Sequence, residues 1–391
     1  MNISFDEASA RFRVGVVAHY YPPHLGGLEV VVHRQASGLA AHGHHVSVLT
    51  SAAPTGPGCS IEGDVVVRRL RVANCFERHG VPFPFFGPAL LWHAWRLVRR
   101  CDVVHVHDTL YVSSWVAALL CRLTRTPYVV TQHVGMVDHP SRVVRLVQAI
   151  VLRTAGSLVL RGAARVLPIS PVIGAWTRST LPGVDVQVLR NGIDRERFRP
   201  AEPGEREQVR RRFGLPSDDM LSLYVGRFVP KKGFDVVSAA TGPGYRLVFA
   251  GGERPAGLTE SEDRIFLGAL SPDDVAALYR ACDVFVCASV GEGPMTPMEA
   301  LLSGCAVLVN DDPSLRALGL GEGVQELSMS PDRLRRCLTE LARSPEAVRA
   351  LALRGREVAR TLPTWEQHLQ ALETVLRSAT EQRGLPLQSG S

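Results

Sequence analysis

The sequence predicts an α/β protein of two similar domains, each an open parallel sheet with helices on both faces. Three observations predict it. The 391 residues exceed the usual size of a single domain, so two domains of roughly 150–200 residues are expected. Short apolar runs bounded by turn residues alternate with stretches of helical period in both halves of the chain. The order strand, glycine turn, helix, strand is that of the right-handed βαβ unit.

In the first half a strand over 14–18 leads through the turn YYPPHLGG (20–27) into a helix over 28–42 and a strand over 46–50. A strand over 65–70, a Pro- and Phe-rich segment over 81–88, a helix over 89–99 and a strand over 103–106 follow. Helix 112–123, strand 128–131, helix 142–160 and strand 166–169 complete the half as an open parallel sheet. A polar, Pro-containing linker at about 200–206 precedes the second series, with strands over 221–225, 247–250, 265–267, 284–287 and 306–309. Helices over 273–280 and 298–303 lie between them, and helical periodicity over 331–342, 345–362 and 364–379 closes the chain. Residues 381–391 are polar and expected to fray.

Composition narrows the function classes. Hydrophobic residues make up 46% and charged residues 21%, enough apolar material for two cores and unlike a disordered or collagenous chain. The net charge is +6, yet the only lysines are Lys231 and Lys232, and the other 42 basic residues are arginine. No dense basic block interleaved with aromatics points to nucleic acid. The eight cysteines are widely spaced without a Cys-x-x-Cys pair, which reads as buried thiols in a reducing compartment; Cys282 and Cys287 fit small core residues better than a redox pair. The first residues lack a signal-peptide pattern and the apolar runs are too short to span a bilayer, so a cytoplasmic protein is expected. Peripheral membrane contact stays open through 142–161, where arginines alternate with Val, Leu and Ile; a helix covering the sheet reads the same segment equally simply.

Candidate functional residues cluster at strand ends. Gly26 and Gly27 open the first helix, where glycine lets backbone approach an anion and free N–H groups attract it, although a tight turn also needs such a pair. In YVGRFVPKKG (224–233) Arg227 and Lys232 place cations at the carboxyl end of a parallel strand, the usual crevice for a phosphate. In ASVGEGPMTPMEALLSG (288–304) Glu292 and Glu299 offer carboxylates to hydroxyls, and the N–H groups of Met295 and Thr296 suit a diphosphate; Glu299 could equally serve only the helix dipole.

VVHVHD sets His105, His107 and Asp108 at another strand end, and VVTQHVG does the same for His133. A zinc cluster is disfavoured because no fourth ligand has suitable spacing, and the adjacent Asp311 and Asp312 are a weak metal signal, so no metal is expected. A satisfied structural role competes at each histidine. No P-loop, serine elbow or HExxH occurs.

Taken together, PPHLGG (22–27), DVVHVHD (102–108), TQHVG (131–135), VLRNGIDRERFRP (188–200), YVGRFVPKKGFD (224–235), AGGE (250–253), FLGALSPDDVAALYRACDVFVCAS (266–289) and GEGPMTPMEALLSGCAVLV (291–309) resemble the family-four glycosyltransferases. The resemblance covers about 13–371. It implies the GT-B architecture, two Rossmann-like doubly wound domains facing an inter-domain cleft. The N-terminal, acceptor-side domain would span 12–198, completed by the C-terminal helix at about 364–379, and the nucleotide-sugar domain 199–363.

The resemblance further implies retaining transfer of a glycosyl group from a nucleoside diphosphate sugar, a UDP-sugar foremost, to a hydroxyl on a small-molecule or lipid-linked acceptor. No cofactor is required, since the nucleotide sugar is a substrate. Gly27 would approach the diphosphate, Arg227 and Lys232 would neutralise it, Glu299 would hold the ribose, Glu292 would contact the donor sugar and His133 would sit by the reacting sugar. His105, His107 and Asp108 fall on the acceptor side. Two departures stand out. Glu292 and Glu299 are seven positions apart where the family commonly has eight, and NDDPSLRALG replaces a glycine pair and glutamate after 309. Alternative readings are a sugar-nucleotide epimerase and a non-catalytic nucleotide-sugar-binding protein; a lysine-held pyridoxal phosphate phosphorylase is disfavoured because no lysine follows Lys232.

Overall fold

The computed structural model describes residues 11–24, 26–74, 83–135, 142–258, 261–291 and 293–381. It divides the chain into two units, one running to Asn191 and resuming at Trp365, the other Gly192–Thr364. The division falls at 191/192 rather than 198/199. The Ile193 N–H donates to the Pro363 carbonyl at 3.0 Å, and Ile193 and Phe198 join the second unit's core.

The first unit's sheet is built from β-branched runs. Its strands are β1 (Arg13–Val17), β2 (His45–Ser51), β3 (Gly58–Glu62), β4 (Val65–Leu70), β7 (Val103–His107), β8 (Tyr128–Gln132) and β9 (Arg165–Pro168), while β5 (Val72–Ala73) and β6 (Phe85–Phe86) form a separate two-stranded ribbon. The order is β3-β4-β2-β1-β7-β8-β9. Valines 14, 16, 103, 104, 129 and 130 are buried, as expected for strands covered on both faces.

The sheet is not wholly parallel: β3 pairs antiparallel with β4. Only Gly63 and Asp64 connect them, and two residues can join only antiparallel neighbours; Gly63 takes the positive φ such a turn demands.

One face of this sheet is covered by helix Gly27–Ala41 and the C-terminal helix Trp365–Glu381, with Val32, Leu39, Leu372 and Leu376 at the seam. Helices Ala89–Arg100, Val112–Thr124 and Ser157–Gly162 cover the other through Ala94, Ala117, Cys121 and Val159. The expected single helix over 142–160 is α-helical in Arg142–Val151, widens to a π turn at Leu152–Gly156 and resumes as Ser157–Gly162. Within it the Thr154 hydroxyl donates to the Ile150 carbonyl at 2.7 Å, a back-bond that competes with the regular ladder.

The second unit's strands are β10 (Met220–Val225), β11 (Tyr245–Ala250), β12 (Arg264–Phe266), β13 (Val284–Cys287), β14 (Ala306–Asn310) and β15 (Gln325–Leu327), ordered β12-β11-β10-β13-β14-β15 with every pair parallel. This is the doubly wound order with a switch point between β10 and β13. The polar stretch expected as a linker continues into helix Glu205–Arg212. Arg210, 4% exposed, reaches Asp283 at 2.9 Å and the carbonyls of Ala281 and Ser217 at 3.0 and 2.6 Å; Asp283 also accepts from Arg206 and from the Leu221 N–H. Breaking so buried an ion pair costs about 3–5 kcal/mol, which makes this helix a clasp on the sheet.

Cys282 and Cys287 are core residues, whereas Cys59 is exposed on β3, unlike the buried thiol expected there; Cys75 lies outside the described residues. No described helix is long and apolar enough to cross a membrane.

Candidate active site

In the first unit the switch point falls between β1 and β7, and the segments leaving β1, β7 and β8 bring their polar residues together. Asp108, immediately after β7, adopts φ of 58°, a left-handed conformation that costs a non-glycine residue about 1–2 kcal/mol. The turn aims its buried carboxylate at the backbone after β8, where Oδ1 accepts from the His133 N–H at 2.7 Å and the Val134 N–H at 3.4 Å. Burial raises the Asp108 carboxyl to about 7, against the pull of those two N–H groups.

The imidazoles form a short series. His105 Nε2 lies 2.7 Å from the Thr131 hydroxyl, the His105 and His107 rings are 4.3 Å apart, and His107 Nδ1 lies 3.0 Å from His133 Nε2. His105 and His107 are fully buried, so of the expected acceptor-side residues neither ring reaches solvent, whereas His133 is partly exposed. Burial pushes His105 and His133 down to about 3 and holds His107 well below the usual histidine range. These rings are neutral at pH 7, suited to hydrogen-bond hydroxyls rather than to hold a negative charge.

Several members of the group carried no sequence expectation. His19, buried just after β1, stacks on Tyr111 with centroids 3.5 Å apart, and Phe83 stacks on the same tyrosine at 5.4 Å. Tyr20 stacks on His24 at 3.9 Å, and His24 Nδ1 meets the buried Glu29 carboxylate at 2.6 Å. That carboxylate folds back over Gly26, where a Cβ would overlap it; Gly27 has open space around its Cβ position. Of the expected glycine pair, Gly26 therefore accommodates Glu29 and Gly27 is the one open to a ligand. His368, from the C-terminal helix, receives the Gln35 amide on Nε2 at 2.8 Å and donates from Nδ1 to the Arg190 carbonyl at 2.7 Å. His19 was legible as a polar residue directly after a strand; no local signal ties His368 to residues so distant in sequence.

In the second unit the ends of β10 and β13 flank the switch point. Arg227 is exposed on the segment after β10, and Lys232 ends the 3₁₀ turn Pro230–Lys232. That turn lies against the end of β13: Val290 donates to the Lys231 carbonyl at 3.0 Å, and Gly233, at φ of 68°, leaves no room for a Cβ beside Ala288. Helix Thr296–Ser303 begins at Met295 without a side-chain cap, so its first N–H groups suit an anion.

Glu299 in that helix lies 3.4 Å from the Tyr279 hydroxyl. Burial raises its carboxyl to about 7, opposed by Tyr279 and the Arg197 charge. Glu292 lies outside the described residues. Asp312 caps Ser314 at 2.8 Å and receives the Gly291 N–H at 3.1 Å, while Asp311 pairs with Arg316. Both aspartates are thus engaged by protein, and no group of three or more metal-binding side chains occurs among the described residues.

Two units, each with a largely parallel doubly wound sheet and polar residues gathered at its switch point, define the class of two-unit α/β proteins that bind ligands at strand ends. Residues 25–197 match the family described as Glycosyltransferase Family 4, and residues 205–350 match Glycosyl transferases group 1. The chain belongs to the family-four type of glycosyltransferases, with the GT-B fold. It is 29% identical over 311 residues to D-inositol 3-phosphate glycosyltransferase of Mycolicibacterium smegmatis, covering 72% of this chain and 70% of that protein. The enzyme of the same name from Mycobacterium bovis is 29% identical over 315 residues, and the match spans 64% of its length, slightly under two thirds.

Among solved structures, sucrose-phosphate synthase of Thermosynechococcus elongatus superposes with a TM-score of 0.74 at 19% identity, covering 95% of this chain and all (100%) of that one. Anabaena HepE in complex with UDP-glucose gives 0.73 at 16% identity, covering 94% of this chain and 100% of that one.

Proposed function

We propose that this glycosyltransferase moves a glycosyl group from a UDP-sugar to an acceptor hydroxyl, with retention of anomeric configuration and without a bound metal. The observation that carries the reading is the packing at the second unit's switch point of the turn that bears Lys232 against the end of β13, the strand that the chain follows to the uncapped helix start at Met295–Thr296. Cleaving the sugar C1–O bond builds negative charge on the diphosphate, and preorganised cations and N–H dipoles stabilise it. In the same step the acceptor oxygen bonds to C1 and its proton passes to the departing phosphate.

Glu299 holds the ribose hydroxyls. His133, neutral and partly exposed, hydrogen-bonds a hydroxyl of the reacting sugar, with His107 fixing its ring and Asp108 its backbone. Glu292 contacts the donor sugar. The Anabaena HepE complex with UDP-glucose supports the uridine base, and the D-inositol 3-phosphate glycosyltransferases support a polyol or cyclitol acceptor.

The test is a mass-spectrometric screen of UDP-, GDP-, ADP- and TDP-sugars against cyclitols, inositol phosphates and polyprenyl-linked sugars, with the anomeric configuration of the product read by NMR. A UDP-dependent product of retained configuration is expected. Isomerisation of free UDP-sugar without acceptor would favour the epimerase reading, and nucleotide binding without turnover the non-catalytic one.

A further inference from the structure

The three helices covering one face of the first sheet leave an unusual outer surface. Leu91, Trp92 and Trp95 on helix Ala89–Arg100 and Leu119 and Leu123 on helix Val112–Thr124 are exposed, Trp92 by 55% and Leu123 by 71%. The same helices pack inward through Leu90, Ala94, Ala117 and Cys121, so the core is satisfied and the outer residues are surplus to it. Leu158 on the neighbouring helix Ser157–Gly162 is 61% exposed. Arg145 to Val151 carries the pattern further, with Leu146, Val147 and Ile150 exposed.

Charge on these three helices has one sign. Arg96, Arg99, Arg100, Arg122 and Arg125 are exposed beside the apolar residues, and the three covering helices contain no Asp or Glu. From 89 to 161 the only acids are Asp102, which is bonded to Arg13, Asp108, which is buried, and Asp138, outside the described residues. Trp92 and Trp95 stack with centroids 5.6 Å apart, and Arg96 and Arg99 each lie 5.6 Å from one of those indoles.

We infer that this face docks on a bilayer containing anionic lipid. Indole and leucine side chains enter the headgroup and acyl boundary while arginines pair with lipid phosphates, the combination that defines an interfacial surface. A second copy of the chain is a poor occupant, because a two-fold contact would set the arginine face against itself without a carboxylate to answer it. Nucleic acid would answer the charge but gives the exposed leucines nothing to bury against. The inference is independent of the reaction proposed above.

The experiment is flotation of the whole protein with phosphatidylcholine vesicles, with or without about 30% phosphatidylglycerol. Binding is expected only with the anionic lipid, weakening as salt rises. The double variant Trp92→Ser/Trp95→Ser and, separately, Arg96→Gln/Arg99→Gln should each lower binding by about tenfold or more. Leu353→Ser, at an exposed apolar residue of the second unit, should not lower it. Melting curves report whether each variant is folded, and the arginine pair serves if the tryptophan pair is not. Unchanged vesicle binding in folded variants overturns the inference. So does a dimer in solution that the variants dissociate, or retention of an RNA oligonucleotide in place of vesicles.

Discussion

The two switch points solve different problems with different chemistry. At the first unit's sheet, neutral imidazoles, stacked aromatic rings and a carboxyl with an elevated pKa lie in or near the core. At the second, Arg227 stands in solvent, Lys232 rides on an outer turn and a helix begins uncapped. A buried neutral group discriminates hydroxyls by geometry, whereas cations near solvent act on charge. The same doubly wound framework thus presents neutral hydrogen-bonding groups at the strand ends of one unit and cations at those of the other.

Acid should separate the units most strongly. Free histidine binds a proton near 6.5, whereas His105 and His133 resist until about 3 and His19 and His107 lie well below the ordinary value. Between those values the unfolded chain binds more protons, so the first unit loses stability as pH falls from 6.5 toward 3. Asp108, raised from 3.8 to about 7, contributes with the opposite sign, but one carboxyl faces four imidazoles.

Glu299, raised from 4.5 to about 7, slightly favours the folded second unit as pH falls through that range. The net direction is a loss of stability in the first unit alone as acid is added. Hydrogen exchange at about pH 5 is expected to rise in β1, β7 and β8 while β10 and β13 stay protected. Equal loss in both units would break the comparison.

Next in size is the charge. Arg227→Ala or Lys232→Ala should lower kcat/KM by about 10²–10³, the scale of one preorganised transition-state partner, with the melting temperature unchanged. Wild-type turnover in a folded variant would move the diphosphate elsewhere. Glu299→Ala should weaken UDP by about 1–3 kcal/mol in calorimetry, and ADP and GDP by a similar amount, because the ribose is common to all three. Smaller still, Phe83→Ala, in the Pro- and Phe-rich segment of the unit to which the acceptor is assigned, should raise the KM for acceptor about tenfold, as loss of one aromatic contact does, without altering UDP affinity; the reverse partition would exchange the roles of the two units. EDTA should change transfer least of all. Activity lost to the chelator and restored by Mg²⁺ or Mn²⁺ would show that Arg227 and Lys232 do not suffice.

Strand positions were legible because valine-rich runs between turns leave little choice of structure. The elements that escaped were those whose local pattern misleads. Residues 58–62 include glycine and an exposed Ile61, a weak strand signal that becomes a strand only by pairing with β4. The linker expected at about 200–206 runs into the helix EREQVRRR, and nothing local reveals that Arg210 is buried against Asp283. Helix Pro171–Thr180 has a local start signal, Ser170 as cap followed by Pro171. At the site, strand-end histidines could be read directly. The pairing of His107 with His133, the Asp108 clip and the Glu29 carboxylate over Gly26 depend on register between elements, which one sequence does not display.

The arginine-rich composition has a practical corollary at the 3₁₀ turn after β10. Lys231 and Lys232 carry the only side-chain primary amines in the protein, and both sit on the turn proposed to meet the diphosphate. Reductive methylation with ¹³C-formaldehyde would therefore place its side-chain labels at this turn alone. Their chemical shifts, beside the single signal of the α-amine, would form an NMR reporter of nucleotide arrival with no engineered tag.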